Sequence, residues 1–216
     1  MAEQIGPITE TKAFEQLGIL VLDGSGSMGP PQTGELGISG QTKAEEVNQA
    51  VRGLITRLRH STLCENFYLA IVTYDDKVNK ARLAPTPVLK VDDTADYNPL
   101  EGHGGETAIG DALEAAYEIA GAFLAGQNTA PRSVVIIVMS DGQNNRGKDP
   151  VEVAERIKQS KQNERITLCA AGYGKGRGLD ELTLKRLVSQ PGCYKFTMNT
   201  EELRDFFTAT MTIVSG

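Results

Sequence analysis

Gly18-Ile19-Leu20-Val21-Leu22-Asp23-Gly24-Ser25-Gly26-Ser27-Met28-Gly29 opens as an unbroken apolar run and closes as a glycine-rich loop. A short run with no polar interruption predicts a strand covered on both faces, as in a parallel sheet flanked by helices. The strand is expected within Phe14 to Asp23. At its exit stand one carboxylate and two hydroxyls on alternate residues, Asp23, Ser25 and Ser27. Alternate residues of an extended chain point the same way, so three oxygen donors can converge where the strand ends.

Outward from this stretch the chain alternates. Lys43 to Leu58 places Val47, Ala50, Val51, Leu54, Ile55 and Leu58 on one helical stripe. Phe67 to Tyr74 reads as a second strand, and Ala81 to Val91 as an edge hairpin, since Pro85 and Pro87 exclude a central position. Ile109 to Leu124 is a second helix with Leu113, Ala116, Ile119, Ala120 and Phe123 on its apolar face. Val134 to Met139 is the most strand-like run of all. Asp149-Pro150 with Glu152 reads as a helix start, because Asp caps, Pro suits the first helical position and an acid suits the first turn. Ile166 to Ala171, Leu179 to Val188, Cys193 to Thr197 and Thr200 to Met211 continue the pattern. The expected fold is α/β: a doubly wound, mostly parallel central sheet with one antiparallel edge strand and helices on both faces, Rossmann-like in general plan. Glycine clusters at 24–40, 102–110 and 172–178 fall at strand ends, where such sheets carry their sites.

Composition narrows the function classes. The chain has 216 residues, 40% of them apolar and 23% charged, which supports a sizeable core and one domain over 1–216 with its core at about 14–212. Twenty-two basic against 28 acidic residues leave a net charge of −6, which argues against nucleic acid or anionic lipid as partner. The longest apolar run, Val134 to Met139, is far short of a membrane span, and no leader pattern opens the chain. Cys64, Cys169 and Cys193 are odd in number and widely spaced, which suits neither a disulfide framework nor a zinc site. They are expected as small core residues of a cytoplasmic protein.

Three nucleotide and catalytic readings of the loop fail on their own physics. Gly24-x-Gly26-x-x-Gly29 matches the dinucleotide pattern, but that pattern needs a helix opening inside the turn. Here Pro30-Pro31 comes next, and the first helical pattern waits until about Thr42. No Gly-Lys-Ser/Thr occurs, and neither Ser25 nor Ser27 has glycines on both sides at the spacing of a nucleophile elbow. Hard oxygen donors with few charges suit Mg2+, which takes about six oxygens and keeps some waters. The plain alternative is a turn whose Ser and Asp side chains bond their own backbone.

Two further segments bear on that choice. Gly104-Gly105-Glu106-Thr107-Ala108-Ile109-Gly110-Asp111-Ala112-Leu113 presents Thr107 just ahead of a helix, and Ser140-Asp141-Gly142 presents Asp141 directly after a strand. Together with Asp23-x-Ser25-x-Ser27 these resemble the von Willebrand factor A-type (VWA) domain over nearly the whole chain. The resemblance implies a metal-ion-dependent adhesion site at Asp23, Ser25, Ser27, Thr107 and Asp141. It implies direct ligation by Ser25 and Ser27, an outer role through water for Asp23, and exchangeable roles for Thr107 and Asp141. The cation is then Mg2+, or Mn2+ in vitro. With its charged ligands held back, such a cation is under-neutralised, and a Glu or Asp of a partner protein completes its shell.

The chain departs from the family pattern between Gly29 and Gln41, a stretch longer than usual that either shapes the partner surface or is a mobile insert. Lys175 and Arg177 are expected in a solvated turn, the sharper alternative being a basic rim. His103 is expected to face solvent, His60 to end a helix, and Arg146 and Lys148 to be surface charges. The expected function is a non-enzymatic, intracellular adaptor or assembly factor, similar to compact bacterial VWA proteins tied to stress modules. An extracellular adhesion module of a larger protein is the alternative. A metal-assisted hydrolase using Asp23 and Asp141 is a third, weakened because no second acidic or histidine cluster supplies a base.

Overall fold

The computed structural model describes residues 12–30, 36, 40–126, 130–174 and 178–212. Six strands form one sheet: β1 (Glu15–Asp23), β2 (Phe67–Tyr74), β3 (Val78–Pro87), β4 (Arg132–Ser140), β5 (Ile166–Tyr173) and β6 (Tyr194–Thr197), in the spatial order β3-β2-β1-β4-β5-β6. All neighbours are parallel except β2 and β3. Five helices cover both faces: α1 (Lys43–Arg59), α2 (Ile109–Ala125), α3 (Pro150–Lys158), α4 (Glu181–Leu187) and α5 (Thr200–Met211). Helix α1 packs against α5, whereas α3 packs between α2 and α4. The expected doubly wound, mostly parallel architecture is therefore observed.

Each element reflects its residues. Every residue of β1 is buried, as a strand between two parallel neighbours requires. The six predicted stripe residues of α1 are all buried, and its start carries a capping box in which Thr42 and Glu45 satisfy each other's backbone amides. On α2, Leu113, Ala116 and Ala120 are buried, while Ile119 and Phe123 pack half-buried at the margin. Helix α3 starts as predicted, the Asp149 side chain accepting from Val151 N and Pro150 occupying the first turn.

The edge strand is the element that differs. It starts at Val78, three residues before the expected boundary, and ends at Pro87, with a short 3-10 turn over 88–90. Its exposed Asn79 and Lys80 lack the apolar alternation by which a strand is recognised. Cys169 and Cys193 are buried in the core, Cys64 is half-buried, and none forms a disulfide. Among the described residues no helix is long and apolar enough to cross a membrane.

Candidate metal centre

Sheet register brings the first two parts of the site together. Leu22 of β1 pairs with Met139 of β4, so Asp23 ends its strand beside Ser140, and Asp141 comes one residue later. Asp23 is fully buried. Its Oδ1 accepts from Ser25 N at 2.8 Å, and its Oδ2 from the Ser140 hydroxyl at 2.6 Å. Burial and then the neighbouring Asp141 charge push the Asp23 carboxyl up to about 6, with the bonds from Ser140 and Ser25 opposing them. A cation placed between these carboxylates would relieve that repulsion.

The loop after β1 turns through a short 3-10 segment, Gly26–Met28, pinned by Met28 in the core. Gly24 leaves no room for a side chain, since a Cβ there would lie 2.2 Å from the carbonyl oxygen of Pro99. This turn sets the Ser25 and Ser27 hydroxyls 3.1 Å apart. The Ser27 hydroxyl donates to Asp141 Oδ1 at 2.7 Å.

Thr107 comes from the loop before α2 and is buried. Asn145 clamps it: the Thr107 amide donates to Asn145 Oδ1 at 2.8 Å, and the Asn145 amide donates to the Thr107 carbonyl at 3.0 Å. A Cβ on Gly142 would stand 3.9 Å from the Thr107 hydroxyl and 4.0 Å from that of Ser27. Gly142 therefore stands beside both hydroxyls. All five residues singled out in the sequence, Asp23, Ser25, Ser27, Thr107 and Asp141, meet at this one end of the sheet.

The expectation for His103 is corrected. Its side chain is only 4% exposed, with Nδ1 2.8 Å from Asp75 Oδ1 and Nε2 3.0 Å from the Thr73 hydroxyl. Asp75 Oδ2 also accepts from the amides of Gly104 and Gly105, each at 3.0 Å, and Oδ1 from Lys77 N at 2.9 Å. Burial alone would raise Asp75, but the bonds from His103, Lys77 and Gly105 outweigh it and hold the carboxyl at about 2. The bracket extends further, because the Asp75 carbonyl accepts from Ala108 N and the Gly105 carbonyl from Gly26 N. One carboxylate after β2 therefore shapes the loop that delivers Thr107 and ties it to the serine loop. A loop histidine looks solvent-facing in sequence because its partner, Asp75, lies 28 residues away.

Lys43 is the other residue the sequence did not flag. Its ammonium lies 2.6 Å from Asp141 Oδ2, with both side chains buried. Asp141 is thus held on one oxygen by Ser27 and on the other by Lys43. Outside the centre, His60 ends α1 as expected, its Nδ1 2.7 Å from the Thr56 carbonyl oxygen. Arg146 pairs with Glu106, and Lys148 with Glu114, as exposed charges. Lys175, Arg177 and most of the 29–41 stretch, Ile38 included, lie outside the described residues; within it, Leu36 bridges to Thr42.

Among the described residues no group of three or more His, Cys, Asp and Glu side chains is placed to hold a metal ion. A cation here would meet hydroxyls and at most two carboxylates, a hard-oxygen set suited to Mg2+ or Mn2+.

A sequence profile of the von Willebrand factor type A domain matches residues 19–209. No curated protein matches the chain closely enough to count as a relative. Among solved structures, proximal thread matrix protein 1 from the mussel byssus, with a zinc-occupied MIDAS motif, is 18% identical with a TM-score of 0.61, over 95% of this chain and 47% of that one. The open form of the pilus adhesin SpaC from Lactobacillus rhamnosus GG is 11% identical with a TM-score of 0.66, over 92% of this chain and 30% of that one. An aerotolerance-related membrane protein from Bacteroides fragilis NCTC 9343, carrying multiple mutations to serines, is 16% identical with a TM-score of 0.60, over 93% of this chain and 100% of that one. This chain spans about half the length of the byssus protein. Identities this low establish a common fold.

Proposed function

This chain belongs to the von Willebrand factor type A family, a family of protein-interaction and adhesion modules, and on that premise we propose that it binds a protein partner through a divalent cation. The cation is Mg2+, with Mn2+ able to replace it in vitro. Ser25, Ser27 and Thr107 supply direct hydroxyl ligands, and Asp23 and Asp141 act mainly through water and hydrogen bonds. A Glu or Asp of the partner completes the shell. The protein is an adaptor or assembly factor of the cytoplasm, with no catalytic step of its own.

One observation carries this reading: both carboxylates are engaged by the protein itself, while the hydroxyls of Ser25, Ser27 and Thr107 gather at the same end of the sheet. Asp23 is taken up by Ser25 N and Ser140, and Asp141 by Ser27 and Lys43. A cation held chiefly by neutral hydroxyls keeps most of its charge and draws an anion from outside. Both ring nitrogens of His103 are engaged, by Thr73 and Asp75.

The test is affinity capture from the native cell extract in Mg2+ and in chelator, with wild type and Ser25→Ala. A partner retained only by wild type in Mg2+, and lost when its acidic residue becomes the amide, supports the reading. Loss of a central charged anchor typically costs about 2 to 4 kcal/mol, roughly 30- to 1000-fold in affinity. Binding that survives both chelator and Ser25→Ala would place recognition on another face.

A further inference from the structure

Among the described residues Lys43 is the only lysine or arginine that is buried. Its position runs against local preference, because it is the first residue of α1, where the helix dipole disfavours a cation. The surroundings nevertheless hold it there. Thr42 and Glu45 cap the helix start, and buried Glu46, in the same first turn, accepts from the Tyr173 hydroxyl of β5 at 2.6 Å. Gly174, at φ +114°, makes way for the stem: a Cβ there would lie 3.2 Å from Lys43 Cε. Two elements and a glycine in a left-handed conformation thus deliver one ammonium to Asp141. A buried ion pair is weak ground for stability, since its desolvation offsets its attraction. Its placement on a metal-site carboxylate calls for another account.

Charge balance supplies it. Counted as an ordinary carboxylate, carboxylate and ammonium, Asp23, Asp141 and Lys43 together carry one net negative charge. A divalent ion turns that into one net positive charge, and a single partner carboxylate then brings the centre to neutrality. Without Lys43 the loaded centre would already be neutral, and the carboxylate would leave it negative. We infer that Lys43 is a positioning residue that sets the charge of this centre: it keeps Asp141 off the metal, weakens metal binding, and leaves the loaded site one positive charge that only an acidic partner neutralises. The inference rests on the metal-centre reading above and adds the reason the site prefers an anionic ligand.

The test uses the whole chain as wild type, Lys43→Met and Lys43→Gln, the second keeping a hydrogen-bond donor for Asp141 without the charge. Mn2+ affinity is measured by water-proton relaxation, and acetate is then added as the probe carboxylate. Removal of a unit charge a few ångströms from the ion predicts Mn2+ binding about 10- to 100-fold tighter in both variants. Acetate is expected to bind the Mn2+-loaded variants more weakly than loaded wild type. Should a variant unfold in chelator, because Asp141 has lost its counter-charge, recovery of the native fold on adding Mn2+ is the expected result, and failure to recover overturns the inference. Wild type that binds Mn2+ as tightly as the variants, or more tightly, overturns the role of Lys43 and leaves the metal centre standing. Absence of Mn2+ binding in all three proteins overturns both.

Discussion

Replacing Asp75 by alanine should damage both the stability and the proposed metal site of this protein, although Asp75 is not among the proposed ligands. Its carboxylate accepts four bonds, from His103 Nδ1 and from the amides of Lys77, Gly104 and Gly105. The His103 bond is buried, and hydrogen bonds to a charged group are worth about 1.5 to 3 kcal/mol. The glycine amides lie on an exposed loop where water can replace the acceptor, so about 0.5 kcal/mol for each of the three amides is a fair allowance. The sum is a loss of about 3 to 4.5 kcal/mol, a large fraction of the 5 to 15 kcal/mol typical of a domain. Urea unfolding monitored by circular dichroism measures it, with an unchanged denaturant slope marking a local loss. The same variant should bind Mn2+ more weakly than wild type, because the loop that presents Thr107 loses its anchor. Asp75→Asn, which retains an acceptor, should fall between the two. A loss below about 1 kcal/mol with wild-type Mn2+ affinity would refute the bracket as the device that shapes the site.

The same residue sets a pH dependence. A folded-state value of about 2, against an ordinary 3.8, means that Asp75 contributes stability above pH 4 and loses it as the pH falls towards 2. About 2 kcal/mol should disappear across that window, and Asp75→Asn should flatten this limb in urea titrations at stepped pH. Val135→Asp should abolish folding, since Val135 is buried in β4 and the substitution leaves a charge without a partner. Thr107→Ala should stay within about 0.5 kcal/mol of wild type in the same titrations while losing Mn2+. Gly110→Ala would ordinarily strengthen a helix by roughly 1 kcal/mol. Here the Cβ would meet the Lys148 carbonyl oxygen at 2.2 Å, so a destabilisation of about 1 to 3 kcal/mol is expected, and a raised melting temperature would contradict the contact.

Much of the fold is legible in the chain because its signals are local. Phe67–Tyr74 and Thr200–Met211 occupy the ranges their patterns predict, since a strand buried on both faces must be apolar throughout and a surface helix must keep one apolar stripe. The convergence of the five candidate residues is legible for a related reason: each stands at the end of an element that can be read, and parallel strands end on the same side of a sheet. Asp23 and Asp141 are placed directly by that topology, whereas Ser140, adjacent to Asp141 in the motif, is visible but shows no role until its hydroxyl is seen on Asp23.

The sequence by itself determined the architecture and the identity of the convergent oxygen donors. Only the tertiary structure decided how those donors are charged and held. Lys43 reads as one more polar residue at a helix start, and its partner Asp141 is 98 residues away. His103 reads as a loop residue, yet Asp75 and Thr73, 28 and 30 residues distant, close both of its ring nitrogens. Periodicity records which face of an element is apolar and carries no information about which buried charge another will meet. That pairing is set by sheet register and helix placement, and it comes into being only when the elements pack.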